Sequence, residues 1–211
     1  MRIVSISGTY GSGKTTLIRE LVARIGAKGK QSVAIVNEAG EVDYDQDFVQ
    51  AHRLAVTRLR GGCVGCSLVS SLVASIKEFR RSLNPDFLFI EPCETAVTRE
   101  LRNVSAMGLR DVTYEIGPFI TLVDGPAFEF SWQERRALLL GQITDADLVA
   151  VSRADLLHPR RLEDIISTLK GYCNGVLGLS PRLGLGMEEV VEMLGPLQPS
   201  RGCTAELKTE V

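Results

Sequence analysis

Lys14 and Thr15 close the run Gly8-Thr9-Tyr10-Gly11-Ser12-Gly13-Lys14-Thr15-Thr16, which satisfies G-x-x-x-x-G-K-[ST]. That spacing binds phosphate. The glycines let the backbone turn its N–H groups inward around phosphate oxygens, and a following helix adds partial positive charge from its N-terminus. Gly11, Ser12, Gly13 and Thr16 belong to this cradle, Lys14 reaches for the β- and γ-phosphates, and the Thr15 hydroxyl holds Mg²⁺. Two carboxylates stand at the ends of apolar runs further along, Glu91 after Asp86-Phe87-Leu88-Phe89-Ile90 and Asp124 after Phe119-Ile120-Thr121-Leu122-Val123. Transfer of a phosphoryl group to water needs neutralised phosphates, a metal and an oriented water. Lys14 serves the first need, and Glu91 and Asp124 are candidates for the others. The competing readings are a solvated strand-end carboxylate for Glu91 and a turn-forming Asp before Gly125-Pro126 for Asp124.

A second constellation has metal-ligand character. Cys63 and Cys66 have the Cys-x-x-Cys spacing with which two thiolates grip a soft or borderline ion. One pair is half of a tetrahedral site, so further ligands must come from Cys93, Glu38, Glu41, His52 or a second subunit. The alternative is a pair of idle thiols in a glycine-rich turn. Cys173 reads as a core residue, Cys203 as a tail thiol, and His158 before Pro159 as a helix-start residue.

The elements that must position these groups alternate in type. Residues 2–7, 32–37, 86–91, 119–125, 148–152 and 175–180 read as buried strands. Leu17, Leu21, Val22 and Ile25 recur at helix spacing after the glycine loop, and helices are expected over 68–83, 160–169 and 187–194. Residues 38–60 read as a long, polar, irregular loop carrying Glu38, Glu41 and Asp43, the kind of segment that orders around a γ-phosphate. Alternating helices and continuous apolar strands predict an α/β fold of the P-loop NTPase type, with a mostly parallel sheet covered on both faces. In such sheets ligands bind at the carboxyl ends of the strands, where Gly8, Glu38, Glu91, Asp124 and Ser152 all fall. One domain over 1–195 and a polar tail over 196–211 are expected.

The order of these blocks resembles the CobW/UreG/HypB-type metallochaperone GTPases, CobW-like proteins above all. Asn37-Glu38-Ala39-Gly40-Glu41 resembles the family's N-E-F-G-E, and Gly62-Cys63-Val64-Gly65-Cys66 its G-C-x-C-C. Ile90-Glu91-Pro92-Cys93-Glu94 stands at the place of I-E-T-S-G. Gln142-Ile143, Ala146-Asp147 and Ser152-Arg153-Ala154-Asp155 stand at the place of the segment ending in N-K-x-D. Ser180-Pro181 before Gly184-Leu185-Gly186 resembles the loop that backs the guanine ring. The resemblance covers about residues 1–195 and implies a lone G-domain without the family's C-terminal domain, closer in size to UreG and HypB. Three departures stand out. Gly65 replaces the middle cysteine, Cys93 a small polar residue, and Ser152-Arg153 the Asn-Lys of the guanine motif. Asp155 remains to accept from guanine, and Arg153 can stack on the purine. GTP is therefore expected over ATP.

The resemblance implies slow GTP hydrolysis coupled to delivery of a metal (Zn, Ni or Co) or metallocofactor, with a cobalamin-related client among the options. The expected partner is a client metalloenzyme or corrinoid protein, and a homodimer would complete a half-site across a two-fold axis. Two other classes stay open. One is a small-molecule kinase, for which Arg99, Arg110 and Arg135-Arg136 are scattered lid candidates. The other is a non-catalytic sensor that docks on a partner. With 211 residues and a net charge of -2, the chain shows neither a nucleic-acid footprint nor a polybasic membrane patch. Its apolar runs are too short for a membrane span or a secretory leader, and its five cysteines are an odd number, so a cytoplasmic protein without a disulfide framework is expected.

Overall fold

Period-two burial on continuous apolar strands decides the layering. In the computed structural model, which describes residues 1–37, 44–59, 68–173 and 175–195, seven strands form one sheet. They are β1 (Arg2–Gly8), β2 (Ser32–Asn37), β3 (Ala55–Leu59), β4 (Phe87–Glu91), β5 (Glu115–Asp124), β6 (Leu148–Ser152) and β7 (Val176–Leu179). Their order is β3-β2-β4-β1-β5-β6-β7, and every neighbouring pair is parallel. Parallel strands need crossovers, which the helices supply: α1 (Lys14–Ala27), α2 (Gln46–Ala51), α3 (Leu68–Ser82), α4 (Thr98–Met107), α5 (Phe128–Glu134), α6 (Arg136–Ile143), α7 (Pro159–Lys170) and α8 (Met187–Leu194).

Each central strand sends alternate side chains to opposite faces. Val4, Ile6, Ala34, Phe89 and Leu122 pack with Leu17, Leu21 and Ile25 of α1 and with Met187 and Val190 of α8. Ile3, Ile35, Leu88, Ile90 and Phe119 face the other way, onto Leu72 and Ile76 of α3 and Leu101 of α4. On the β6 half of that second face, Val123, Val149 and Val151 pack with Leu139 of α6 and Ile165 of α7. Both faces are covered, so the central strands carry no polar face.

Within the segment expected as a loop over 38–60, the described residues 44–59 depart from it. Asp45 caps α2 by accepting from the Phe48 N–H at 2.6 Å, and Ala55–Leu59 joins β2 as an edge strand. The mixed sequence Ala-Val-Thr-Arg-Leu lacks the buried-strand signature because it pairs on one side only. β5 begins at Glu115, earlier than expected. Gly117-Pro118 reads as a breaker, yet the strand runs through it while the register with β1 shifts between Ile3 and Ser5. α4, α5 and α6 are further elements that hydrophobic spacing did not single out. His158 is the N-cap of α7, its Nδ1 accepting from the Arg160 N–H at 3.4 Å. Cys173 is half-buried against the α7 cluster. Among the described residues, no helix is long and apolar enough to cross a membrane.

Candidate nucleotide site

β1 delivers the glycine loop to the carboxyl edge of the sheet, between β4 and β5. Gly8 has φ +138°, and a Cβ there would lie 2.3 Å from the Leu122 carbonyl oxygen and 2.8 Å from the Ser12 Oγ. Only glycine fits that approach. The loop closes with the Ser12 N–H donating to the Thr9 carbonyl at 3.2 Å, and Gly13, at φ +93°, opens α1. The loop lines a cleft of about 640 Å³, together with Lys14, Thr15, Thr16, Asn37, Glu91 and Asp124.

Within the cleft, Lys14 Nζ donates to the Gly8 and Thr9 carbonyls at 3.1 and 3.0 Å, so the ammonium lies across the loop. Thr15 Oγ1 donates to Glu91 Oε1 at 2.6 Å, and the Tyr44 hydroxyl donates to Glu91 Oε2 at 3.3 Å. Glu91 is 6% exposed, and burial pushes its carboxyl above the usual carboxylate range, against the pull of Thr15, Lys14 and Tyr44. Burial likewise lowers Lys14, while Glu91 and Glu94 work to keep it charged. The same desolvation, with the Glu91 charge beside it, raises the Tyr44 phenol. A buried hydroxyl and carboxylate in contact beside a lysine form a hard-oxygen donor set that suits Mg²⁺.

Asp124 is buried on the opposite side of the loop. Arg153 donates to its Oδ2, while Oδ1 has no hydrogen-bond partner among the described residues. The expected base-side residues lie at neighbouring strand ends and not in the cleft wall. Arg153 holds φ +55° after β6, and its guanidinium lies on Asp124. The Ser152 Oγ donates to the Val123 carbonyl at 3.3 Å, and Asp155 is exposed in the turn that follows. Ser180 is buried after β7, where its N–H donates to the Leu185 carbonyl at 3.0 Å and holds that loop.

Of the expected metal ligands, Glu38, Glu41, Cys63 and Cys66 lie outside the described residues. Cys93 is buried among Ile90, Ala96 and Leu101 rather than in the cleft wall, with its Sγ 3.5 Å from the Thr95 hydroxyl. His52 packs on the Phe48 ring, centroids 4.4 Å apart. Among the described residues, no three His, Cys, Asp or Glu side chains gather to hold a metal. Tyr44, Glu94 and Phe130 join the site without having been singled out for it, and of the arginines named as lid candidates Arg135 lines the cleft. Tyr44 sits in a polar stretch with no periodicity. Phe130 and Arg135 reach the cleft only because α5 and α6 fold back beside β5.

The sequence model of the CobW/HypB/UreG nucleotide-binding domain matches residues 2–175. The chain belongs to the CobW/HypB/UreG family. Its fold is shared with the hydrogenase maturation factor HypB of Archaeoglobus fulgidus (TM-score 0.66, 18% identity, 92% of this chain and 88% of that one). A nickel complex of HypB from Helicobacter pylori aligns at TM-score 0.58 and 16% identity, over 95% of this chain and 90% of that one. Zn(II)-bound YjiA GTPase from E. coli aligns at TM-score 0.61 and 17% identity, over 85% of this chain and 57% of that one. No curated protein matches the chain by sequence. In this CobW/HypB/UreG domain the glycine loop, Glu91 and Asp124 meet at one sheet edge.

Proposed function

We propose that this chain is a GTP-binding protein that hydrolyses GTP slowly and couples nucleotide state to delivery of a transition metal or metallocofactor to a client enzyme. The observation that carries the nucleotide part is the 2.6 Å contact between Thr15 and Glu91, with Lys14 across the same loop. Mg²⁺, when bound, neutralises phosphate charge and fixes the triphosphate. Thr15 and Glu91 are the residues that would hold it, directly or through water. Lys14 trades its two carbonyl acceptors for phosphate oxygens, which are charged and therefore stronger partners. Glu91 or Asp124 then orients the attacking water, and Asp155 reads the base, with Arg153 joining it only by leaving Asp124.

Family membership supports the metal part, as do a HypB relative crystallised with nickel and a YjiA relative with Zn(II). Cys63 and Cys66 are the proposed thiolate ligands, with Glu38, Glu41 and Cys93 as candidates to complete the set and a second subunit as a further source. Coupling follows if γ-phosphate binding orders the residues after β2 and thereby changes the ligand geometry. A cobalamin-related client belongs to this reading.

Titration of reduced protein with Co²⁺ tests it, reading thiolate-to-metal absorbance in parallel samples with GDP, a non-hydrolysable GTP analogue or an ATP analogue. A thiolate band that changes with the GTP analogue alone is expected. Equal Co²⁺ affinity in all nucleotide states removes the coupling, and no band in Cys63→Ser or wild-type protein alike removes the cysteines as ligands.

A further inference from the structure

Arg135 is the residue at which α5 ends and α6 begins, and it lines the same cleft as Lys14, Thr15 and Glu91. Most arginines near it are engaged. Arg153 is paired with Asp124, and Arg99 and Arg102 with Asp145 and Asp147. Arg136 lies over the Trp132 ring at 4.6 Å and donates to the Tyr172 hydroxyl at 3.1 Å. Arg135 has no carboxylate partner among the described residues. Its guanidinium carbon sits 5.6 Å from the centroid of Phe130, which is 56% exposed and lines the cleft too. An exposed aromatic ring beneath an unpaired guanidinium restricts its swing while leaving its donors free.

Charge balance asks for such a group. A Mg²⁺-bound nucleoside triphosphate retains roughly two negative charges, and Lys14 offsets one of them. Asp124 is already neutralised by Arg153, and Glu91 and Glu94 add negative charge to the wall. Among the described residues, Arg135 is the other cation lining the cleft. Thr9, Tyr10 and Gly11, the first half of the phosphate loop, line the cleft with it.

We infer that Arg135 is a hydrolytic arginine supplied in cis, donating to the γ-phosphate and the β–γ bridging oxygen as the bond between them breaks. The inference rests on the nucleotide-hydrolysing reading above. A water oxygen bonds to the γ-phosphorus, the bridging P–O bond breaks, and its electron pair leaves with the β-phosphate. GDP and inorganic phosphate result, and the water proton ends on phosphate. Charge migrates to the bridging oxygen in that transition state, so a fixed N–H fork there stabilises it more than the ground state. Phe130 is a positioning residue that holds the fork.

Single-turnover GTP hydrolysis by wild type, Arg135→Ala, Arg135→Lys and Arg136→Ala tests the assignment, with affinities for fluorescent GDP and a GTP analogue measured on the same preparations. Expected is a loss of about 100-fold or more in the rate for Arg135→Ala, only partial recovery in Arg135→Lys, and an unchanged rate in Arg136→Ala. GDP affinity stays within about twofold throughout, which also shows that the variants fold. If Arg135→Ala hydrolyses GTP at the wild-type rate with GDP binding intact, the assignment is overturned while the nucleotide reading stands. If wild-type protein binds GTP but does not turn it over alone, supply in cis is overturned. If wild type binds no guanine nucleotide, the underlying reading fails first.

Discussion

Gln142 is completely buried in α6 and ties three parts of the nucleotide edge together. Its Nε2 donates to the Glu94 carbonyl at 2.7 Å and to the Ala96 carbonyl at 3.3 Å, fixing the loop that follows Glu91. Its own carbonyl accepts from Thr98 at 2.5 Å and Thr121 at 2.9 Å, and Thr121 meets Ser7 of the phosphate-loop strand at 2.9 Å. Gln142→Met keeps the length and removes the side-chain amide. The buried Ala96 carbonyl then loses its donor, a cost of about 1–3 kcal/mol, while the half-buried Glu94 carbonyl can turn to water. Against this, Gln142 Oε1 is buried without a partner among the described residues, and its removal returns about 1 kcal/mol. The net is a destabilisation of up to about 2 kcal/mol, or a Tm lower by up to roughly 8 °C for a domain of this size. Thermal denaturation reads the stability. Amide exchange over residues 92–97 reads the loop, where faster exchange is expected with little change in α7. A variant with wild-type or higher Tm and unchanged exchange over 92–97 would refute the view that this amide pins the loop.

Burial raises the Glu91 carboxyl, so the native state binds more protons than the unfolded chain from about pH 4.5 upward, and stability falls as pH rises through that window. Glu91→Gln removes this slope. Its Tm relative to wild type, without Mg²⁺ or nucleotide, is expected to climb between pH 4 and pH 7 while hydrolysis drops by about 10²–10⁴-fold; a pH-independent difference in melting scans would contradict the desolvation argument. Gly8→Ala forces a Cβ to 2.3 Å from the Leu122 carbonyl at a positive φ, and a loss of roughly 3 kcal/mol or more should show in urea titration. Arg153→Ala leaves the buried Asp124 without its cation. With the Arg153 side chain 43% exposed, the cost is discounted to about 1–2 kcal/mol, read from the same denaturation, and Arg153→Ala combined with Asp124→Asn should recover part of it. Lys14→Ala should abolish detectable binding of a fluorescent GTP analogue, since two backbone carbonyls are all that Lys14 must leave to reach the nucleotide.

Much of the candidate site was legible in the sequence. The glycine loop declares itself because its chemistry needs fixed residue types at fixed spacing, and Glu91 and Asp124 because each ends a continuous apolar strand. The strands themselves were readable because a parallel sheet covered on both faces demands unbroken apolar runs, as in Phe87–Glu91 and Leu148–Ser152. β3 was not readable, because an edge strand with one neighbour has no such demand placed on its residues. β5 was read short because Gly117-Pro118 carries a local preference that sheet pairing overrides.

By itself, then, the sequence determined the phosphate loop, the alternation of elements and the edge at which the polar groups collect, all of which follow from spacing and periodicity along the chain. Tertiary structure alone decided the partners. Tyr44 meets Glu91 across 47 residues, Arg153 turns from the expected base side onto Asp124 across 29, and Arg135 enters the cleft through the fold of α5 and α6. Such contacts leave no mark in local spacing, because they depend on strand order and crossover geometry, which bring together residues that no periodicity relates.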